Sequence, residues 1–419
     1  MWWPVRPAVS AESAQPIGDG EFHLVVYPSY RFYDGRNANR PWLLELPDPV
    51  TKVPWGSWVE MHPRTAEELG IEQGDVVELT SPYGSLQTYA YVYPGVRPDV
   101  VAVQAGLGHG AFGRWTEGVG VNPNVLLGPT VDAASGELAS YGVRVSVDRL
   151  SGAPMNLPWQ AGEGLFEQGV RVQYDREIAQ AVSLAELARL DAEPHAEEPE
   201  HVELLRGSGG FVPVEVETDP AGYPPPGSRY GEYVEGAARW AMVVDLSRCI
   251  GCSACVIACQ AENNIPVVGP KEMKRGRELH WLRIERYYGV SSDPSEAYAD
   301  NGTDDVRFLP MLCQHCGNAP CEPVCPVYAA YHTPDGLNGQ VYNRCVGTRY
   351  CANNCPYKVR VFNWWTYEFQ EPLNWQLNPD VTVRDKGVME KCTFCVQRIR
   401  EAEHTAAREN RGVADGEIV

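Results

Sequence analysis

Apolar and β-branched residues gather in short runs over the first third of the chain, at 22–27, 75–79 and 100–103, each bounded by Gly, Pro or Asn. Runs of that length between turn residues predict strands. Between them, Thr65 is placed to cap a short helix through Ala66-Glu67-Glu68-Leu69, with Gly70 as its stop. Residues 1–150 therefore read as a β-rich domain. Over 176–190, Ile178, Val182, Ala185 and Leu190 recur near helical spacing, which predicts one amphipathic helix. The chain then turns polar, through Glu197-Glu198-Pro199-Glu200 and Pro224-Pro225-Pro226-Gly227, so 151–238 reads as a long extended linker carrying that one helix. Beyond it, 241–245 and 279–285 have strand character, and short helices are expected after the last cysteine of each cysteine group, as at Gln260-Ala261-Glu262. The fold class expected is α+β: a β-barrel domain, a linker, and a third region, 239–419, of short strands, loops and short helices.

Composition narrows the partners. The 419 residues carry a net charge of -20. Residues 1–240 hold 16 basic and 33 acidic groups and 241–419 hold 19 and 22, so -17 of the -20 lies in the first part. An acidic chain of this kind lacks the basic footprint that a polyanion needs, which argues against nucleic acid as a partner. No apolar run approaches the roughly 20 residues needed to span a bilayer, so any membrane attachment is expected to come through partner subunits. The opening Met1-Trp2-Trp3-Pro4-Val5-Arg6-Pro7 has neither a basic stretch before an apolar core nor paired arginines, so no export signal is visible in it.

All 13 cysteines fall between Cys249 and Cys395, in four groups. The first is Cys249-x2-Cys252-x2-Cys255-x3-Cys259, the bacterial ferredoxin spacing in which three thiolates hold one cluster and the fourth reaches another. The second is Cys313-x2-Cys316-x4-Cys321-x3-Cys325-Pro326. The third, Cys345-x5-Cys351-x3-Cys355-Pro356, has Thr348 where a second cysteine is expected. The fourth is the half-motif Cys392-x2-Cys395. Thiolates at every third residue aim at neighbouring corners of one compact iron-sulfur object. A tetrahedral zinc needs four ligands, usually from two separated knuckles, and fits poorly. Disulfides belong to small secreted chains with little core, which this is not. Arg344, Arg349, Lys358, Arg360 and Lys391 lie within a few residues of these cysteines, where cationic charge suits a negative cluster. His315, between Cys313 and Cys316, is placed either to hydrogen-bond a sulfur or to stand in solvent; His62 and His109 are expected to serve turns in the barrel. The run Phe362-Asn363-Trp364-Trp365 reads as packing, with an electron path as the sharper alternative.

The four-motif array resembles the four-cluster ferredoxin-like subunits of the molybdopterin oxidoreductase superfamily. In that family the motifs pair crosswise, first with fourth and second with third. The resemblance implies one 4Fe-4S cluster on Cys313, Cys316, Cys321 and Cys355, and a neighbour on Cys325, Cys345 and Cys351 that is a 3Fe-4S cluster because Thr348 is no ligand. It further implies that Cys249, Cys252 and Cys255, and separately Cys259 with Cys392 and Cys395, take part in two more clusters, up to three 4Fe-4S clusters in all. Four motifs of four make sixteen; Thr348 and the two cysteines expected after the half-motif reduce that to the 13 present. The expectation is therefore a partial chain, with another fragment or the remainder of the same subunit supplying the missing ligands.

Met61-His62-Pro63-x2-Ala66-x2-Leu69-Gly70-Ile71-x2-Gly74-Asp75-Val76-Val77, with Ser81-x2-Gly84 and Val121-Asn122-Pro123-Asn124, resembles the dinucleotide-binding barrel of molybdopterin oxidoreductase catalytic subunits. This barrel is expected to be free of cofactor, and no molybdenum is expected. Barrel, linker and four-cluster domain on one chain resemble the large iron-sulfur subunit of alternative complex III. That resemblance implies single-electron relay between an integral membrane quinol-binding subunit and haem c subunits, on the periplasmic face of the membrane, with no catalytic residue in this chain. The alternative is the electron-transfer part of a molybdenum-dependent reductase of the polysulfide or tetrathionate type.

Overall fold

The computed structural model describes residues 16–129, 131, 136, 138–151, 167–169, 176, 178–179, 240–288, 306–414 and 416–418. The chain divides into two compact units, one holding the first 168 residues and the other the cysteine groups. The expected helix over 176–190 and most of the expected linker lie outside the described residues.

The first unit is a closed six-stranded barrel. Its strands are β1 (Phe22–Pro28), β2 (Trp58–Met61), β3 (Val76–Ser81), β4 (Gly84–Val92), β5 (Val100–Ala105) and β6 (Val143–Arg149), in the order β1-β5-β2-β4-β3-β6. β1 runs parallel to β5 and β2 to β4, and the other pairings are antiparallel. In β1, Phe22, Leu24 and Val26 alternate inward, and they meet Val59, Met61, Val77, Leu79, Ala90, Val101, Val103 and Val145 in one core. Burying each such side chain is worth about 1.5–3 kcal/mol. The three predicted runs are strands here. β2 escapes the pattern because all four of its residues are buried, so no alternation marks it.

The expected helix is α2 (Pro63–Leu69), following a short α1 (Pro41–Glu45). Gly70 ends it in the left-handed conformation at φ 65°, as expected. The cap differs. His62 stands at the N-cap and its Nδ1 accepts from the Arg64 N–H at 3.1 Å, while the Thr65 hydroxyl sits inside the helix and donates to the Pro98 carbonyl at 2.6 Å. Pro63 at the first helical position moves the start three residues earlier than a hydroxyl cap at Thr65 would. Ser81 and Gly84 close the β3–β4 hairpin, and Asn122 caps a 3-10 turn over Pro123–Leu126.

Among the described residues of the second unit no strand exceeds six residues. Its elements are α3 (Ala254–Glu262), α4 (Pro270–Lys274), β7 (Arg283–Tyr288) with β8 (Val306–Met311), β9 (Ala330–His332) with β10 (Asn338–Gln340), α5 (Tyr350–Asn354), β11 (Val361–Phe362) with β12 (Met389–Glu390), and α6 (Val396–Arg408). The strand expected at 241–245 does not form: the segment is exposed and joins no ladder among the described residues. The strand expected at 279–285 begins later, at Arg283, because Leu279 and Trp281 leave the ladder to fill a small core with Ile265, Leu312 and Cys392. Helix α3 starts before the last cysteine of its group, so Cys255 and Cys259 lie on it.

Candidate metal centres

Four thiols from two motifs converge on one small cavity. Cys313, Cys316 and Cys321 of the second group and Cys355 of the third line it, with Ala319, Pro320, Pro356, Tyr357, Val359 and Arg360. Cys321 and Cys355 are buried. No carboxylate and no imidazole lines this cavity. The loops reach this shape through backbone that is costly elsewhere: His315 (φ 44°) precedes Cys316, Arg349 (φ 64°) precedes α5, and Lys358 (φ 51°) follows Cys355. Cys345 and Cys351 pack in one apolar cluster with Cys321, Ala319 and Met389.

Hydrogen bonds to sulfur accompany this packing. The Ala329 N–H points at Cys325 Sγ at 3.1 Å and the Met389 N–H at Cys345 Sγ at 3.4 Å. At Cys325, burial pushes the thiol up, but the N–H groups of Ala330, Val327 and Ala329 and the Arg360 charge outweigh it and leave the thiol below its ordinary range. At Cys321, burial dominates and pushes the thiol up to about 11. Thiolate there needs the charge of a bound metal. Thr348 is exposed on the loop between Cys345 and Cys351.

The first and fourth groups also meet. Cys255 has Cys252 and Cys249 as charge neighbours, and Cys259 has Cys392, Cys395 and Cys255. Asn263 donates to Cys259 Sγ at 3.6 Å, and the Phe394 N–H to Cys392 Sγ at 3.3 Å. Lys391 is fully buried with its ammonium on the Cys392 carbonyl at 2.7 Å. Among the described residues no three His, Cys, Asp or Glu close on a single ion. Zn–S bonds of about 2.3 Å would draw four sulfurs to about 3.8 Å apart. Thiols ringing a cavity suit a larger, multinuclear object, so the residues fit an iron-sulfur cluster.

The flanking residues correct the expectation for His315, bear out packing for the aromatic run, and add Glu390. His315 neither stands in solvent nor donates to a sulfur: its Nδ1 accepts from the Asn338 N–H at 3.0 Å, and its ring meets Phe394 edge-on at 5.3 Å. Burial pushes its pKa down to about 2. The aromatic run packs, with Phe362 against Trp364 at 4.8 Å and the Arg349 and Arg277 guanidinium groups over Trp364 at 5.1 and 4.2 Å. Sequence reasoning missed Glu390, which is wholly buried and gathers Trp281 Nε1, Asn363 Nδ2 and Arg384 Nη2 at 3.1, 2.8 and 3.0 Å. Those three donors lie far apart in the chain, so no local spacing announces the cluster.

In the barrel, a groove of about 380 Å³ is lined by Tyr27, Asp34, His109, Asn122, Asn124 and Ser140, among others. His109 stacks on Phe112 at 4.9 Å, and its buried Nε2 has no hydrogen-bond partner. These polar groups suit the nucleotide end of a pterin cofactor. No cysteine precedes Cys249, so the barrel offers no thiolate to a metal end.

The comparisons with known proteins divide as the structure does. Residues 22–143 match the molybdopterin dinucleotide binding domain, and 248–329 and 304–371 each match a 4Fe-4S dicluster domain. The iron-sulfur cluster-binding subunit of menaquinone reductase from Nitratidesulfovibrio vulgaris is 40% identical over 191 residues, which is 45% of this chain and 71% of that protein. The chain belongs to this family of iron-sulfur subunits. Other members are similar over shorter shares of their length. Iron-sulfur subunit 1 of the Hdr-like menaquinol oxidoreductase of Archaeoglobus fulgidus is 38% identical over 186 residues, 41% of this chain and 63% of that one. A tetrathionate reductase subunit from Salmonella typhimurium is 34% identical over 161 residues, 38% of this chain and 50% of that one. The family places 4Fe-4S clusters in the cysteine half, and the fold is the α+β pair of barrel and ferredoxin-like domains that the strand and cysteine patterns predict. No helix among the described residues is long and apolar enough to cross a membrane.

Proposed function

We propose that this chain is the electron-transfer iron-sulfur subunit of a membrane-associated oxidoreductase, of the type in which it serves a molybdenum-dependent reductase. The convergence of Cys313, Cys316, Cys321 and Cys355, from two separate motifs, on one cavity free of carboxylate and imidazole carries this reading. The family's menaquinone, menaquinol and tetrathionate members support the complex it would serve. Bound 4Fe-4S clusters supply one-electron carriers whose potentials follow cluster type, hydrogen bonds to sulfur and exposure. The chain's own part is to hold them: the 13 cysteines as ligands, the N–H groups of Ala329, Met389 and Phe394 aimed at sulfur, and apolar packing that excludes water. In this reading residues 1–150 form the barrel domain, 151–238 the linker and 239–419 the cluster domain.

A narrower reading has one observation in its favour, the presence of barrel and cluster domain on one chain. In it the chain is part of an alternative complex III, takes electrons from a membrane quinol-binding protein on the periplasmic face and passes them toward haem c, with the barrel free of cofactor. Metal and haem analysis of the purified complex separates the two. Molybdenum supports the reductase type, and iron with haem c but no molybdenum supports the narrower reading. A complex without iron sinks both.

The 3Fe-4S assignment at Cys325, Cys345 and Cys351 has its own test. Oxidised wild-type complex is expected to show a 3Fe-4S electron paramagnetic resonance signal at low temperature, and Thr348→Cys is expected to abolish it and add one iron per chain. A wild type without that signal removes the assignment.

A further inference from the structure

Arg360 is a buried cation whose leading charge partners among the described residues are cysteine thiols. It follows Cys355 by five residues and is 5% exposed. Nη1 lies 3.6 Å from Cys321 Sγ and 3.1 Å from Asn338 Oδ1, and Nη2 bonds Gln340 Oε1. Nε is buried with no hydrogen-bond partner. Cys321 packs in one apolar cluster with Cys351 and Cys345, so the guanidinium lies against thiols of both motifs, and the charges of Cys351, Cys321 and Cys313 outweigh the cost of its burial. Cys325 counts the same guanidinium among its charge neighbours.

Among the described residues no carboxylate is bonded to it. Glu322, the acid of this network, is taken up by Asn338 Nδ2 at 2.5 Å and His332 Nδ1 at 3.2 Å. Two other buried arginines differ: Arg384 pairs with Glu390 at 3.0 Å, and Arg31 has Asp48 as its opposite charge. An unpaired buried charge costs several kcal/mol, so a guanidinium kept here without a carboxylate requires negative charge on the sulfurs around it. Those sulfurs belong to two sets. Cys313 and Cys321 line the four-thiol cavity, and Cys351 belongs with Cys345 and Cys325 in the neighbouring site.

We propose that Arg360 is a positioning residue shared by both cluster sites of the second and third motifs, one fixed cation that raises the reduction potential of the two neighbours together. The proposal rests on the reading that these motifs hold two clusters. Each gains one electron on reduction with no bond made or broken, and the added negative charge is favoured by a cation within hydrogen-bond reach of a ligand sulfur. Arginine suits the position because its planar fork holds two donors in fixed, diverging directions, whereas an ammonium is a compact point charge.

The test is a redox titration of the intact complex followed by electron paramagnetic resonance, with iron quantified per chain, on wild type, Arg360→Gln and Arg360→Lys. Arg360→Gln is expected to lower both midpoint potentials, each on the order of tenfold in the one-electron reduction equilibrium, about 59 mV. Arg360→Lys, which keeps the charge, is expected to shift both less and by unequal amounts. Retained clusters with only one potential moved, or neither, overturn the inference and leave the two-cluster reading standing. If Arg360→Gln fails to assemble, Arg360→Lys decides, since potentials equal to wild type at both sites count against sharing. Loss of iron from both variants makes Arg360 a folding residue and likewise overturns it. A wild-type complex that lacks one of the two clusters removes the underlying reading instead.

Discussion

Glu60 is a buried acid of the barrel, and no spacing in the sequence marks it as one. It sits on β2 between the buried Trp58 and Met61, receives the Tyr27 hydroxyl and Trp58 Nε1, and is 8% exposed. Burial pushes its carboxyl up to about 7, and the two hydrogen bonds offset only part of that. The unfolded chain releases this proton in the usual carboxylate range while the folded barrel still holds it. The folded state therefore binds more protons between about pH 4.5 and 7, and stability falls as pH rises through that window, then levels off. The full effect is up to about 3 kcal/mol, at 1.36 kcal/mol per pKa unit. Denaturant midpoints read by tryptophan fluorescence at pH 5 and pH 8 should show the fall in wild type and a flat profile in Glu60→Gln; a slope that persists in the variant places its source elsewhere. Glycine and cysteine positions could be read from spacing, but a buried acid cannot, because its partner Tyr27 comes from another strand, 33 residues away. His315 failed for a related reason. Its place between two cysteines was legible, whereas its acceptor role toward Asn338 depends on β10, which no local pattern ties to it.

At the scale of elements, the cysteine loops were the most legible features and their flanking strands the least. Thiol spacing dictates loop shape directly, while strands of two to six residues carry too few alternations to mark their ends, as at 279–285, where Leu279 and Trp281 serve a core and the ladder starts at Arg283. The loop between Cys345 and Cys351 depends on one glycine. Gly347 adopts φ 71°, and a Cβ there would lie 2.4 Å from the Gly387 carbonyl oxygen and 2.9 Å from the Phe362 ring. A backbone carbonyl cannot swing aside as a side-chain end can, so Gly347→Ala must displace the loop that carries Cys345 and Cys351. Iron analysis and visible absorption should report loss of the cluster held with Cys325, while the four-thiol site keeps its iron. Gly276→Ala supplies the comparison, since its φ of 67° is also left-handed but its Cβ would meet open space. That variant should cost about 1–2 kcal/mol of backbone strain and no iron. Equal iron loss in both would refer the effect to strain in general and not to the close approach at Gly387.

At the scale of the whole molecule, the two units draw their stability from different sources, and the sequence already separated them by charge and by cysteine. The barrel closes on itself around one continuous apolar core from Phe22 to Val147, with no open sheet edge. The cluster domain has two-stranded sheets and small cores in which cysteines themselves are members, Cys392 beside Trp281 in one and Cys321 and Cys351 beside Met389 in another. Where thiols occupy core positions, the bound metal is part of the folding free energy. Stripping iron under reducing conditions with a chelator should therefore unfold the second unit and spare the first. Limited proteolysis of the stripped chain is expected to leave a resistant fragment spanning 22–149, with fragments from 240–419 degraded. Thermal unfolding should retain one cooperative transition, that of the barrel, close to its midpoint in the loaded protein. Two surviving transitions would mean that the small cores and the Glu390 network hold the second unit without metal. Loss of both transitions on chelation would mean that the barrel depends on the cluster domain for its own stability.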